Sequence, residues 1–335
     1  MIINIPKNFG FFHFVGIGGI GMSGIAEILI KSGYKVQGSD VSSSKIIDRL
    51  ISLGVKIYIG HDKNNIRNAS IVVYSSAIKQ NNPEIVEAKK IFIPIIHRSE
   101  MLSELMKLKK SIAIAGTHGK TTTTSLISKI LDTNKMDPTI INGGIISSLA
   151  SNAKLGQGQW MVVEADESDG SFSKLMPTVA VITNIDLEHL DFHKNEKNLE
   201  NAFINFISSI PFYGFCSVCI DHPRVQKIFS NLKNRKIMTY GLSPNADVKA
   251  DNIIVKNQKM YFDVIYKNKT NKQDYTIKNI SFSMLGLHNV QNALASISIA
   301  LELNIKPDII KLALKNFNGV QRRFQLIDTY KNTKI

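Results

Sequence analysis

The chain opens with a short apolar run at 11–15, a glycine-rich turn and an amphipathic stretch at 22–32; further apolar runs follow at 35–39, 71–75 and 92–95. Short apolar runs alternating with helical-period stretches predict a parallel sheet wrapped by helices. A lysine-rich stretch at 107–110 interrupts the alternation and a new run at 111–115 restarts it, so a domain boundary is expected there. Runs at 160–164, 179–183 and 215–220, with a helical period over 196–209, continue the second unit. From 246 to 284 polar and apolar residues alternate around a polar turn at 267–273, which predicts antiparallel strands. Helices are expected at 289–302 and 307–317.

With 335 residues and 44% hydrophobic content, the chain has room for at least two cores of roughly 100–200 residues each. No run approaches the roughly 20 apolar residues of a membrane span, and the N-terminus carries no secretory signal pattern, so no membrane partner and a cytoplasmic location are expected. The net charge of +14 raises the question of nucleic acid. The lysines are scattered among Asn and Ile, without a basic helix or aromatic-interleaved stripe, so nucleic acid is not an expected partner. A positive field does suit anionic nucleotide substrates. Cys216 and Cys219 form a C-x-x-C pair within an apolar run, where strand alternation points them to opposite faces. No second pair completes a zinc set, and two buried thiols are expected.

Three stretches carry candidate chemistry. Gly16, Gly18 and Gly21 form G-x-G-x-x-G between a strand and a helix, with Asp40 at the end of the next strand, the pattern of a diphosphate cradle with a ribose contact. By itself this motif leaves a nicotinamide dinucleotide site and a ligand-free turn both open. The loop from Gly116 to Thr122 is more specific: Lys120 is placed to meet β- and γ-phosphates and Thr121 to hold Mg²⁺, although Ile114 stands where a full P-loop has its first glycine. Glu164 ends a strand and begins a run with Asp166, Glu167 and Asp169. Four carboxylates in six residues need solvent or a cation. Glu164 is the expected Mg²⁺ ligand, and the other three are left unassigned, open to being a solvated loop. His189 and His193 lie at i, i+4 spacing, but Leu190 replaces the Glu of a zinc-protease helix, so an exposed histidine pair is the plainer reading. The fold expected is α/β: a Rossmann-like domain over 1–108, then a P-loop-type α/β ATPase domain over 109–324 with a small antiparallel β portion.

In chain order, residues 16–27, 75–77, 98–102, 116–124, 164–172, 184–191, 286–292 and 319–324 resemble the Mur ligases, ATP-dependent enzymes of bacterial cell-wall precursor synthesis. Among them the resemblance is strongest to members that join L-alanine to UDP-N-acetylmuramate. It implies that the first loop holds the UDP-sugar, with Gly18, Gly19, Ser23, Asp40, Ser75, Ser76 and Arg98 as contacts. It implies ATP on Gly116, Thr117, His118, Gly119, Lys120, Thr121 and Thr122, with Asn292 beside adenine and Arg323 beside ribose or phosphate. Mg²⁺ falls to Thr121, Glu164 and His189, and the catalytic set to Lys120, Glu164 and His189. His193 stays unassigned, and His288 and Asn289 are read as ordering a helix start. The implied reaction phosphorylates the lactyl carboxylate of UDP-N-acetylmuramate and opens the acyl phosphate with L-alanine.

Ligases of this kind carry a third α/β domain after the segment of Arg323. Residues 325–335 are expected to be only its start, so UDP-sugar binding with weak ATP binding and poor turnover is expected unless a separate chain supplies that domain. The competing readings are a sister ligase that attaches a recycled murein peptide, a non-catalytic UDP-sugar or nucleotide-binding protein, and an NAD oxidoreductase.

Overall fold

The computed structural model describes residues 6, 8–146, 151–168, 170–188, 190–230, 232, 234–267, 274–319, 329–330 and 333–334. The first unit runs β1 (Phe11–Val15), α1 (Ile20–Lys31), β2 (Val36–Asp40), α2 (Lys45–Ser52), β3 (Lys56–Ile59), β4 (Ala69–Tyr74), α3 (Pro83–Lys90), β5 (Ile95–His97) and α4 (Arg98–Met106). Its sheet is parallel throughout, in the order β3-β2-β1-β4-β5. Phe12, Phe14 and Val15 of β1 are fully buried, as a central parallel strand covered on both faces requires. The strand expected at 92–95 forms at Ile95–His97 instead. Phe92 sits in a turn at φ 57° and Pro94 has no amide to donate, so pairing with β4 starts one residue later.

The second unit is larger. It comprises β6 (Lys110–Ala115), α5 (Lys120–Thr133), β7 (Thr139–Ile146), β8 (Ser151–Lys154), β9 (Trp160–Glu164), β10 (Val179–Ile182), α6 (Leu190–His193), α7 (Glu196–Ser208), β11 (Phe215–Cys219), α8 (Pro223–Phe229) and β12 (Lys236–Gly241). It continues with β13 (Val248–Lys256), β14 (Lys259–Lys267), β15 (Asp274–Phe282), α9 (Leu287–Glu302) and α10 (Pro307–Lys315). The strands form one sheet in the order β15-β14-β13-β12-β11-β10-β6-β9-β7-β8, parallel in the middle and antiparallel at both ends. Two further short strands, Thr329–Tyr330 and Thr333–Lys334, pair with each other.

Two cores lie on the two faces of this sheet. One packs α5, α9 and α10 over Ile112, Ile114 and the antiparallel strands. The other joins α7 and Ala113, Val163 and Val218 to α1, α4 and the first sheet, so the two units share one apolar body. Cys216 and Cys219 fall in different cores, both buried, as strand alternation requires. Among the described residues no helix is long and apolar enough to cross a membrane.

Candidate active site

Open parallel sheets bind ligands beyond the carboxyl ends of their strands, where the strand order reverses. In the first sheet that point lies between β1 and β4, and in the second at β6, between β9 and β10. Each point carries one of the two glycine loops.

In the first loop Gly16 adopts φ 76°, and its amide and that of Ile17 bond to Ser39 O at 2.8 and 3.0 Å. Gly18 N donates to Asp40 Oδ2 at 2.8 Å, so Asp40 secures the loop itself. Gly19 caps α1 without a side-chain hydrogen bond to the helix amides. Ser75 and Ser76 follow β4, and Arg98 opens α4. All three face the same cavity as Gly19, with Ser76 Oγ 3.1 Å from His97 Nε2 and Arg98 Nη2 donating to Asp166 Oδ2 at 3.5 Å. Ser23 stands apart from this set: it is buried, donates to Ile20 O at 3.0 Å and lines a separate cavity of about 220 Å³ with Glu27 and Arg49.

The second loop runs from β6 into α5. Gly116 and Gly119 have φ 135° and 83°, and a side chain at Gly119 would meet the Asn292 amide. The segment that follows β10 braces the loop: Thr117 N donates to Asn184 O at 3.1 Å, His118 N to Asn184 Oδ1 at 2.8 Å, and Asp186 N to Thr117 Oγ1 at 2.8 Å. Lys120 Nζ is drawn back over its own loop, donating to Gly116 O at 2.6 Å, Thr117 O at 3.1 Å and Glu167 Oε1 at 2.9 Å. Thr121 and Thr122 are buried in the first turn of α5. Glu164 lies beside that turn and accepts from Gly143 N at 2.9 Å and from the Thr121 hydroxyl. Burial pushes its carboxyl up, against those hydrogen bonds and the pull of Lys120.

A carboxylate disfavoured by burial and paired with a hydroxyl at a phosphate loop is a hard-oxygen donor set that a divalent cation would relieve, so the residues fit Mg²⁺. Among the described residues no group of three or more His, Cys, Asp or Glu could hold a metal alone, so such an ion would complete its shell from phosphate and water. Asp169, His189 and Arg323 lie outside the described residues.

Two residues left unassigned from the sequence prove central. Glu167, open there to being part of a solvated loop, is 2% exposed and pairs with Lys120 Nζ through both oxygens, the second at 2.8 Å. Burial pushes its carboxyl up, against the attraction of Lys120. His193, read as one of an exposed pair, is buried, and its Nε2 donates to Glu167 O at 2.9 Å, fixing the acidic loop from behind. Asn292 is also buried: its Oδ1 accepts from Thr123 Oγ1 at 3.3 Å and its amide donates to Asn289 Oδ1 at 3.3 Å, which sets it under the phosphate loop. No local signal in the sequence marks these burials, because Lys120 and Glu167 are 47 positions apart.

A cavity of about 660 Å³ runs from the first loop to Glu164, the carboxylate beside the second. Gly19, Ser75, Ser76 and Arg98 of the first unit line it together with Gly143, Glu164 and Asp166 of the second, and the Arg98–Asp166 pair bridges the two sets. A ligand whose diphosphate sits on the first loop can therefore extend to the carboxylate beside the second.

Residues 11–110 match the Mur ligase family, catalytic domain, and residues 114–300 match the Mur ligase middle domain. The UDP-N-acetylmuramate–L-alanine ligase of Rhodospirillum rubrum is 52% identical over 320 residues, covering 96% of this chain and 66% of that protein. That of Bartonella henselae is 48% identical over 333 residues, covering 99% and 70%. The chain thus spans about two thirds of the length of the curated relatives it matches. The crystal structure of the UDP-N-acetylmuramate–alanine ligase of Thermotoga maritima superposes with a TM-score of 0.83 at 28% identity, covering 97% of this chain and 72% of that one. A murein peptide ligase from Psychrobacter arcticus has the same fold, with a TM-score of 0.82 at 24% identity over 95% of this chain and 70% of that one. Two glycine loops at successive switch points and relatives matched along nearly all of its length have one common explanation: the chain belongs to the Mur ligase family, in the group of UDP-N-acetylmuramate–L-alanine ligases.

Proposed function

We propose that the chain binds UDP-N-acetylmuramate on the first loop and ATP on the second, and activates the sugar's lactyl carboxylate for amide formation with L-alanine in the cytoplasm. The observation that carries this reading is one cavity lined both by Gly19, Ser75, Ser76 and Arg98 of the first unit and by Gly143 and Glu164 of the second. A carboxylate is a poor acylating agent, so a carboxylate oxygen first attacks the γ-phosphorus and ADP leaves. The alanine amine then attacks the acyl carbon, phosphate departs and the amine gives up a proton.

The chain's own part is positioning and charge neutralisation. Lys120 exchanges Glu167 for the β- and γ-phosphates, while loop amides from Gly119 to Thr122, at the start of α5, cradle them. Thr121 and Glu164, with His189, would hold Mg²⁺, which when bound neutralises charge on the transferring phosphoryl group. Arg98 and the α1 amides take the UDP diphosphate, and Asn292 and Arg323 are assigned to the adenosine end. Identity near 50% to L-alanine ligases over nearly the whole chain supports alanine over a recycled peptide. The same relatives argue against a nicotinamide dinucleotide on the first loop.

Hydroxylamine capture tests the proposal. Incubation of the chain with UDP-N-acetylmuramate, ATP and Mg²⁺ is expected to yield the sugar hydroxamate in amounts matching ADP, and neither without the UDP-sugar. ATP cleavage that ignores the UDP-sugar, or the absence of any hydroxamate, would overturn it.

A further inference from the structure

The β7–β8 hairpin touches both loops. On the ATP side, Asn142 Nδ2 of β7 donates to Ser125 Oγ at 2.8 Å and meets Thr121 O at 3.5 Å, both in the first turns of α5. The next residue, Gly143, supplies the amide that holds Glu164 Oε2. A Cβ at Gly143 would fall within 2.7 Å of all three Glu164 carboxyl atoms, so any side chain there forces Glu164 to move. On the UDP-sugar side, Asn152 Nδ2 of β8 donates to Ile20 O at 2.6 Å, in the first turn of α1. Its neighbour Ser151 donates Oγ to Glu27 Oε2 at 2.9 Å.

Glu27 is itself a junction. It is 2% exposed, accepts from Arg49 Nε and Nη2 at 3.1 and 2.8 Å, and from Lys31 Nζ at 2.5 Å. It therefore ties α1 and α2 of the first unit to a strand of the second. Gly24 shows how close this packing is, since a Cβ there would lie 2.9 Å from Asn152 Nδ2 and 3.4 Å from Ile141 Cγ2. A glycine inside a helix costs about 1 kcal/mol relative to alanine, which this close approach accounts for. The strands are locked to each other at Ile140↔Lys154 and Ile141↔Ala153, and the register breaks after Ile141, where β7 leaves the ladder to reach Glu164. Asn142 and Gly143 thus answer to the ATP loop, and Ser151 and Asn152 to the first turns of α1.

We propose that the β7–β8 hairpin sets the spacing between the two nucleotide loops, with Asn152, Ser151 and Glu27 as positioning residues that make occupancy of one loop felt at the other. Such coupling requires an element whose equilibrium both ligands bias, and its size is measured as the factor by which one ligand changes the other's affinity. This rests on the assignment of the UDP-sugar and ATP to their loops.

Calorimetry on the whole chain tests it. UDP-N-acetylmuramate is titrated with and without saturating adenylyl imidodiphosphate and Mg²⁺, in the wild type and in Asn152→Ala, Ser151→Ala and Ser151→Thr. The wild type is expected to show at least about fivefold coupling. Asn152→Ala and Ser151→Ala should bring the factor to about twofold or less, with each single-ligand affinity within about threefold of wild type, whereas Ser151→Thr, which keeps the hydroxyl, retains it. Coupling preserved in both alanine variants overturns the hairpin's role. So do single-ligand affinities that collapse together with it, because they mark a purely structural contact. Independent binding of both ligands to the wild type overturns the hairpin proposal alone, whereas a wild type that binds neither ligand overturns the assignment of the loops.

Discussion

Replacing Glu167 by glutamine removes one negative charge and keeps the shape. This carboxylate pairs with Lys120 Nζ at 2.9 and 2.8 Å, the two side chains being 2% and 14% exposed. Breaking a buried pair and stranding the remaining charge costs about 3–5 kcal/mol. Here Lys120 keeps the Gly116 and Thr117 carbonyls and can keep an amide oxygen, so the expected loss of stability is nearer 1–2 kcal/mol. ATP binding should move the other way. A carboxylate and a phosphate sharing one ammonium stand roughly 6 Å apart, and at an effective dielectric of about 20–40 their repulsion is about 1–3 kcal/mol. Glu167→Gln should therefore bind ATP·Mg²⁺ about tenfold or more tightly in calorimetry while unfolding at lower urea. Opposite signs are the diagnostic. If ATP affinity falls together with stability, Glu167 orients Lys120 for phosphate and does not compete with it.

Three further outcomes are expected. Gly143→Ala should push Glu164 aside and weaken Mg²⁺-dependent ATP binding by at least about tenfold, with a smaller loss of UDP-N-acetylmuramate affinity; undiminished ATP affinity would contradict it. Burial holds the Cys219 thiol up at about 12 and that of Cys216 higher still, so a disulfide thiol reagent should label neither in the folded protein and both in urea, and labelling without denaturant would count against the fold. Glu27 and Glu84 are held below the usual carboxylate range: burial raises each, but Arg49, Lys31 and Ser151 outweigh it for Glu27, and His13, Ser39 and Asn65 for Glu84. A depressed folded-state value gives stability that is full above about pH 4.3 and drains as pH falls through the lower folded value, so urea midpoints should drop in that acid range and Glu84→Gln should flatten part of the drop; a flat acid limb would contradict this.

The strand, turn and helix around each loop were legible because local chemistry fixes them. An apolar run buried on both faces and glycines at φ 76° and 83° leave few alternatives. The period change after 246 likewise announced the antiparallel β13–β15. The hairpin β7–β8 went unread: its apolar pairs are interrupted by Asn142, Gly143 and Gly144, and its pairing breaks where β7 bends toward Glu164. Strand β3 was missed because half of it is exposed and it sits at the sheet edge. Glu164 could be picked out as the carboxylate ending a strand, but the burial of Glu167 depends on a lysine and a histidine brought in from distant turns, which sequence spacing does not reveal.

The most direct check is calorimetric titration of Lys120→Ala with ATP·Mg²⁺ and, separately, with UDP-N-acetylmuramate. Loss of the ammonium should weaken ATP by at least about tenfold and leave the UDP-sugar within about twofold. Undiminished ATP affinity would mean that the second loop does not hold the triphosphate, and a parallel loss of both ligands that the two loops are not separate sites.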